Sequence, residues 1–272
     1  MRPNLRIDSV PYYTSKNGVI YHGDCLDILR DIEDDSVDLV LTDPPWGIGM
    51  EYDSYEDTIG NLERMISPFI SECQRIAKVT FVSCGTKNIY RYPQPDHILA
   101  WCCPAGVFRG PYGFNCWEPI LCYGSDPYLK RRLGGRPDAI VMTESCSYSA
   151  HPCAKPLGVW KWLLERGSTY RGDIVLDPFA GSGTTALAAE FLGRSWILIE
   201  KSKAYCDMAI ERIKKWEDQA RFSFIPEKHI IWDASELLPG EDWTGLEFEE
   251  SEVKERRKSM KSSLFSFDED MR

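Results

Sequence analysis

At 272 residues with 43% apolar side chains, the chain is long enough for one α/β domain with an insertion, or for two small domains, and can bury a core. No run approaches the ~18 uninterrupted apolar residues of a membrane span, and the opening MRPNLRIDSVPYY lacks the apolar stretch of a secretory signal, so a cytoplasmic protein with no membrane partner is expected. The net charge of −10 argues against a generic polyanion binder, but residues 227–272, with 13 acidic and 7 basic side chains, carry −6 of it and leave the rest near balance. Ten cysteines without a CxxC pair read as reduced, small core residues, and no metal site is expected.

In chain order, GVIYH (18–22) and VDLVLT (37–42) have the character of short buried strands, with a helical pattern, CLDILRDI, between them. Apolar residues at helical spacing run from Ile59 to Ala77, and VTFVSC (79–84) is a third strand. Residues 90–150 change character: rich in Pro, Gly, Cys and aromatics, with β-like runs at EPILCYG (118–124) and DAIVM (138–142), they predict an irregular, partly β insertion. The alternation resumes with a helix at LGVWKWLLERG (157–167), a strand at DIVLD (173–177), a turn, PFAGSG (178–183), and a helix at TTALAAEFLG (184–193). A strand, SWILIE (195–200), and a long amphipathic helix, SKAYCDMAIERIKKWEDQ (202–219), follow. Such alternation implies an α/β fold, a mainly parallel, doubly wound sheet. The acidic segment 224–272 has too few spaced apolar residues for a core and reads as a flexible tail.

Two junctions carry chemistry. In TDPPWGIGM (42–50) a strand ends in a carboxylate and two prolines, which cannot donate to a sheet and hold Asp43, Pro44 and Pro45 in a stiff extended segment ahead of Trp46. In DPFAGSGTT a carboxylate ends a strand and two glycines turn the backbone tightly before a helix; without the lysine of a P-loop this is not a nucleotide triphosphate cradle. Glu200 ends the next strand, where an acidic side chain can accept from both hydroxyls of a ribose. A third fingerprint glycine is missing, which favours a nucleoside cofactor without pyrophosphate, such as S-adenosylmethionine.

Together, DPPW and the downstream DPFAGSGTTALAAEFLGRSWILIE resemble the DNA amino-methyltransferases, in the motif order of their β group, and HPCAKP (151–156) is similar to that family's HPxxKP element. The resemblance spans roughly residues 18–213 and matches the central insertion only loosely, in the manner of compact phage-borne adenine methyltransferases. It implies a Rossmann-like doubly wound mixed sheet, the class I methyltransferase fold with permuted motif order, divided into a catalytic half (1–89), a target-recognition insertion (90–150), a cofactor-binding half (151–223) and the acidic segment (224–272). Asp177, Phe179, Gly181, Gly183 and Thr184 are then expected to form the cofactor turn, Glu200 to hold the ribose and Asp24 to lie near the cofactor's adenine amino group. His151, Lys155 and their backbone would border its carboxylate end, with a mainly backbone role for Lys155, which precedes Pro156, as the plainer alternative. Asp43 and the Pro44 carbonyl would accept the two N–H bonds of an exocyclic amino group, and Trp46 would stack on a base flipped out of its duplex.

The expected function is methyl transfer to N6 of adenine in double-stranded DNA, in a bacterial or phage-infected cell. A homodimer and a cognate restriction endonuclease are partners the resemblance admits. Alternatives are methylation of cytosine N4, an RNA or protein amide methyltransferase, and a catalytically silent binding subunit. Pro152–Cys153 has the look of a cytosine-C5 nucleophile motif but lies upstream of the cofactor turn, and amino methylation needs no thiol intermediate. In the insertion, YLKRRLGGRP (128–137) gathers Lys130, Arg131, Arg132 and Arg136 for phosphate contact or base readout, while Tyr112, Phe114, Asn115 and Trp117 could be wedge residues or the insertion's small core.

Overall fold

The structure is a computed structural model that describes residues 7–143, apart from 105, 107 and 111, and residues 155–222. His151, the Pro152–Cys153 pair and the acidic segment from 224 onward lie outside the described residues.

Sheet and helix alternate as the periodicities predict. After a two-residue edge strand β1 (Tyr13–Thr14), β2 (Gly18–His22) leads into α1 (Cys25–Arg30), β3 (Leu39–Thr42), α2 (Ile59–Ile76) and β4 (Val79–Ser83). Then come β5 (His97–Cys102), β6 (Phe108–Gly110), β7 (Gly113–Asn115), β8 (Trp117–Gly124), α3 (Pro127–Lys130) and β9 (Ala139–Val141). The chain continues through α4 (Leu157–Gly167), β10 (Ile174–Asp177), α5 (Thr184–Leu192), β11 (Ser195–Glu200) and α6 (Lys203–Phe222). Local signals account for several ends: Asp24 caps α1 by accepting from Leu26 N, Thr58 caps α2 by accepting from Asn61 N, and Gly193 closes α5 in the left-handed region.

Nine strands form one sheet in the order β1-β2-β11-β10-β3-β4-β8-β5-β9. The five strands from β2 to β4 are mutually parallel. Their side chains alternate with period two: Ile20, Leu39, Leu41, Val175 and Leu198 join α4, α5 and α6 in one buried cluster, while Val19, Tyr21, Val40, Leu176 and Ile199 join α1 and α2 in another. Helices therefore cover both faces. From β3 the chain crosses α2 to β4 on one side, and from β10 it crosses α5 to β11 on the other, so the winding direction switches between the neighbouring strands β3 and β10. Ligands of open α/β sheets bind outside the carboxyl ends of the strands at such a point.

The segment 90–150 is less separate than its composition suggests. β8 pairs antiparallel with β4 and β5, and β9 runs parallel to β5, so three of its strands extend the main sheet. Burial explains this: β8 buries six consecutive residues, Glu118 to Tyr123, and can do so only inside a sheet. What projects is the β6–β7 ribbon, where Tyr112 is fully exposed and Phe114 is 73% exposed, which excludes them from any small core. No described helix is long and apolar enough to cross a membrane.

Candidate active site

The carboxyl ends of β2, β3, β10 and β11 converge on a cavity of about 520 Å³ whose lining includes Asp24, Asp43, Pro45, Lys155, Asp177, Phe179, Gly181, Thr184 and Glu200. Sequence motifs separated by more than 130 residues thus meet because their strands are neighbours. Thr42 and Asp177, at the ends of the adjacent β3 and β10, share a hydrogen bond of 2.6 Å.

Asp177 is 3% exposed, and its carboxylate accepts from Thr42 Oγ1, Thr185 Oγ1 and Phe179 N. Burial pushes its carboxyl up to about 6, against the pull of those three donors. Thr185 Oγ1 in turn accepts from Trp160 Nε1 at 2.9 Å, which ties α4 and α5 to the strand ends. Asp177 therefore braces the turn from inside. Thr42 and Thr185 stand at the edges of the two motifs and Trp160 in a plain helical pattern, so nothing in the sequence assigns them a role.

The turn itself needs its glycines. Gly181 and Gly183 adopt φ of 49° and 78°, and a Cβ on Gly183 would sit 2.8 Å from the Ala209 Cβ of α6. Gly181 N donates to Glu200 Oε2 and Ser202 N to Glu200 Oε1, both at 2.8 Å, so Glu200 is fixed at the cavity edge, with its carboxyl raised by burial. Arg212 of α6 donates to the Ser182 carbonyl and to Thr184 Oγ1 beneath the turn. Phe179 packs edge-on against Phe69, ring centroids 5.1 Å apart. Asp24 on the opposite wall is a helix cap that also pairs with Lys201 at 3.0 Å.

Across the cavity the DPPW segment is held as stiffly as its prolines suggest, with help the sequence did not advertise. Buried Asp57 accepts from Gly47 N, Ile48 N and Met50 N, and Asn88 Nδ2 donates to the Trp46 carbonyl. The Trp46 ring packs on Gly85, where an added Cβ would come within 2.9 Å of it. Its Nε1 donates to Asp43 Oδ1 at 3.1 Å. Ser83 Oγ lies 2.8 Å from the same oxygen and also meets Glu118 Oε1, while Lys155 Nζ pairs with Asp43 Oδ2 and lies 3.9 Å from Glu118. The side chain of Lys155 is thus turned to the acceptor carboxylate, a geometry that a purely backbone role does not describe. Ser83 and Glu118 lay unmarked at the end of β4 and the start of β8.

The cavity lining combines the carboxylates of Asp24, Asp43, Asp177 and Glu200 and the Lys155 ammonium with the rings of Tyr52, Tyr55, Phe179 and Tyr205. Tyr55 Oη, on its wall, is buried with no hydrogen-bond partner among the described residues, which a ligand would supply. Among the described residues no group of His, Cys, Asp and Glu could hold a metal.

The basic loop splits. Arg131, half-buried, lies 3.6 Å over the Tyr170 ring, whereas Lys130, Arg132 and Arg136 are exposed, Arg136 lying 4.7 Å over the Tyr128 ring.

Comparison with known proteins agrees with this geometry. Residues 135–211 match the N6_N4_Mtase family model, DNA methylase. The chain is 26% identical to the Type II methyltransferase M.HpaI of Haemophilus parainfluenzae over 223 residues, covering 68% of this chain and 70% of that protein. It is 27% identical to the DNA adenine methyltransferase YhdJ of Escherichia coli (strain K12), covering 71% and 82%. The fold also superposes on a PVUII DNA methyltransferase (cytosine-N4-specific) with a TM-score of 0.60 at 18% identity, over 78% of this chain and 94% of that one. The family model covers the glycine turn, and the longer alignments carry the likeness over about two thirds of a chain that places its acceptor motif ahead of that turn. On these matches the chain is similar to the S-adenosylmethionine-dependent DNA amino-methyltransferases in its cofactor-turn half and over two thirds of its length, and it shares their fold.

Proposed function

We propose that this protein methylates N6 of an adenine flipped out of double-stranded DNA. The observation that carries the reading is the pairing of an aspartate, not a serine, at the head of DPPW with a glycine turn and Glu200 across the same cavity. S-adenosylmethionine, when bound, supplies an electrophilic methyl group. Its nucleoside would be held by Glu200 at the ribose, Asp24 at the adenine amino group and Phe179 at the ring, over the backbone of Gly181 to Thr184.

An exocyclic amino nitrogen is a poor nucleophile because its lone pair is delocalised into the ring. Asp43 and the Pro44 carbonyl accept its two N–H bonds, draw the nitrogen towards tetrahedral geometry and leave the lone pair aimed at the reacting carbon. Trp46, with Lys155 Nζ now 4.9 Å from its ring centroid, is the aromatic on which the base would stack. The target amino group has to share or displace the Lys155 ammonium at Asp43, so the ammonium holds the carboxylate aligned until substrate arrives. Residues 90–150 would carry target recognition, with the exposed β6–β7 ribbon as its projecting part.

Sequencing DNA from cells that express the protein, with modified bases read out, tests the assignment and returns the site: methylated adenine in one sequence context is expected, and cytosine N4 methylation alone would replace the choice of base. The basic loop gives a second check. Lys130→Ala with Arg132→Ala should weaken DNA binding across sequences and reduce the log–log salt slope by about 0.9 for each phosphate that the variant no longer neutralises. Arg131→Ala should change it less because its guanidinium is stacked, and Lys214→Ala with Lys215→Ala should leave it unchanged. Equal slopes for the Lys130/Arg132 variant and the wild type would move phosphate binding elsewhere.

A further inference from the structure

Glu118 is a deeply buried carboxyl beside the DPPW segment, 1% exposed, and nothing in the transfer reaction described above uses it. It stands on β8, directly beside β4, whose last residue is Ser83. Ser83 Oγ lies within hydrogen-bonding distance of both Glu118 Oε1 and Asp43 Oδ1. A hydroxyl carries one proton, so it can donate to one of these carboxylates only; the other approach is a hydrogen bond only if that carboxyl brings a proton of its own.

The surroundings decide which carboxyl is protonated. Asp43 is 17% exposed, receives Lys155 Nζ on Oδ2 and Trp46 Nε1 on Oδ1, and so has a cation and a second donor to stabilise its charge. Glu118 has Lys155 at 3.9 Å, beyond hydrogen-bonding reach, and the charge of Asp43 close by. Burial and Asp43 both push its carboxyl up, against Lys155 and Ser83. Cys84 and Tyr92 are further titratable neighbours of this group, and the buried thiol and phenol, both raised, add no cation.

We propose that Glu118 is a positioning residue that carries a proton and donates it to Ser83 Oγ, which makes the serine hydroxyl an obligate donor to Asp43 Oδ1. The relay Glu118–Ser83–Asp43 then points one way. It fixes the rotation of the acceptor carboxylate and removes a second buried anion that would compete with Asp43 for the Lys155 ammonium. This rests on Asp43 as the acceptor of the target amino group, but the location of the proton can be measured without DNA.

The full-length protein and its Glu118→Gln variant are compared by infrared difference spectroscopy at neutral pH. The carbonyl stretch of a protonated carboxylic acid is expected in the wild type and should be absent from the variant. No such band would overturn the proposal, whatever base the enzyme methylates. Kinetics form the second arm. A glutamine amide donates to Ser83 as the acid does, so Glu118→Gln should keep kcat and KM within about three-fold, whereas Ser83→Ala should lower kcat on the order of 10²-fold through a misplaced carboxylate, with KM for DNA little changed. A Glu118→Gln variant that folds, binds S-adenosylmethionine and yet loses kcat as far as Ser83→Ala would mean that Glu118 works as an anion, and the proposal fails.

Discussion

Asp43→Ala is expected to lower the rate of methyl transfer by on the order of 10³-fold or more while leaving S-adenosylmethionine affinity within a few-fold. The separation follows from where the carboxylate is anchored. Its partners are Trp46, Ser83 and Lys155, all on the target-base side, while the glycine turn and Glu200 are held by one another and by Arg212. On the proposed reading, removing the carboxylate deletes the acceptor of the target amino group and leaves the hydrogen bonds of the glycine turn and Glu200 in place. Asp43→Asn, which keeps one acceptor oxygen on the same geometry, should retain more activity than the alanine variant. Calorimetry with the cofactor and single-turnover transfer to DNA separate the two effects. Loss of cofactor binding in Asp43→Ala would show instead that the DPPW segment shapes the whole cavity.

Gly183→Val should lose about 2–5 kcal/mol of stability and bind cofactor at least about ten-fold more weakly. Two costs add. A β-branched residue is strained at φ 78°, and its Cβ would stand 2.8 Å from Ala209 Cβ, so either α6 moves away or the turn does. Both responses displace the backbone that lines the cavity. Gly60→Ala in the first turn of α2 is the matching control: nothing lies within 4 Å of its added methyl, and the change should be neutral or slightly stabilising. Denaturant midpoints measure this, and equal midpoints for Gly183→Val and the wild type would mean that the turn tolerates a side chain.

The parts of this architecture that repeat were legible from residues alone. Strands such as GVIYH and SWILIE announce themselves as short apolar runs buried on both faces, helices such as 59–76 because they bury one periodic face, and DPPW and the glycine turn because proline and glycine restrict or free the backbone in recognisable ways. What stayed hidden depends on residues distant in sequence. HILAWC (97–102) is a strand because β8 needs a second neighbour, not because its own pattern alternates. Ser83, Asp57 and Glu118 are ordinary polar residues until the sheet brings them to Asp43 and to the loop after Trp46. Lys155 was visible only as part of a motif, and the direction of its side chain required the fold. The arginines of YLKRRLGGRP read as one patch, and the fold adds what the sequence could not show, that Arg131 stacks on Tyr170 and Arg136 on Tyr128.

The most direct measurement is the identity of the product. Duplex DNA that lacks prior methylation is incubated with the purified protein and S-adenosylmethionine labelled in its methyl group, digested to nucleosides and resolved by mass. Label in N6-methyldeoxyadenosine, abolished by Asp43→Ala, is the result this account predicts. Label confined to 5-methyldeoxycytidine, to RNA or to protein would contradict it, because none of those products is an exocyclic amino nitrogen of a DNA base held between Asp43 and Pro44.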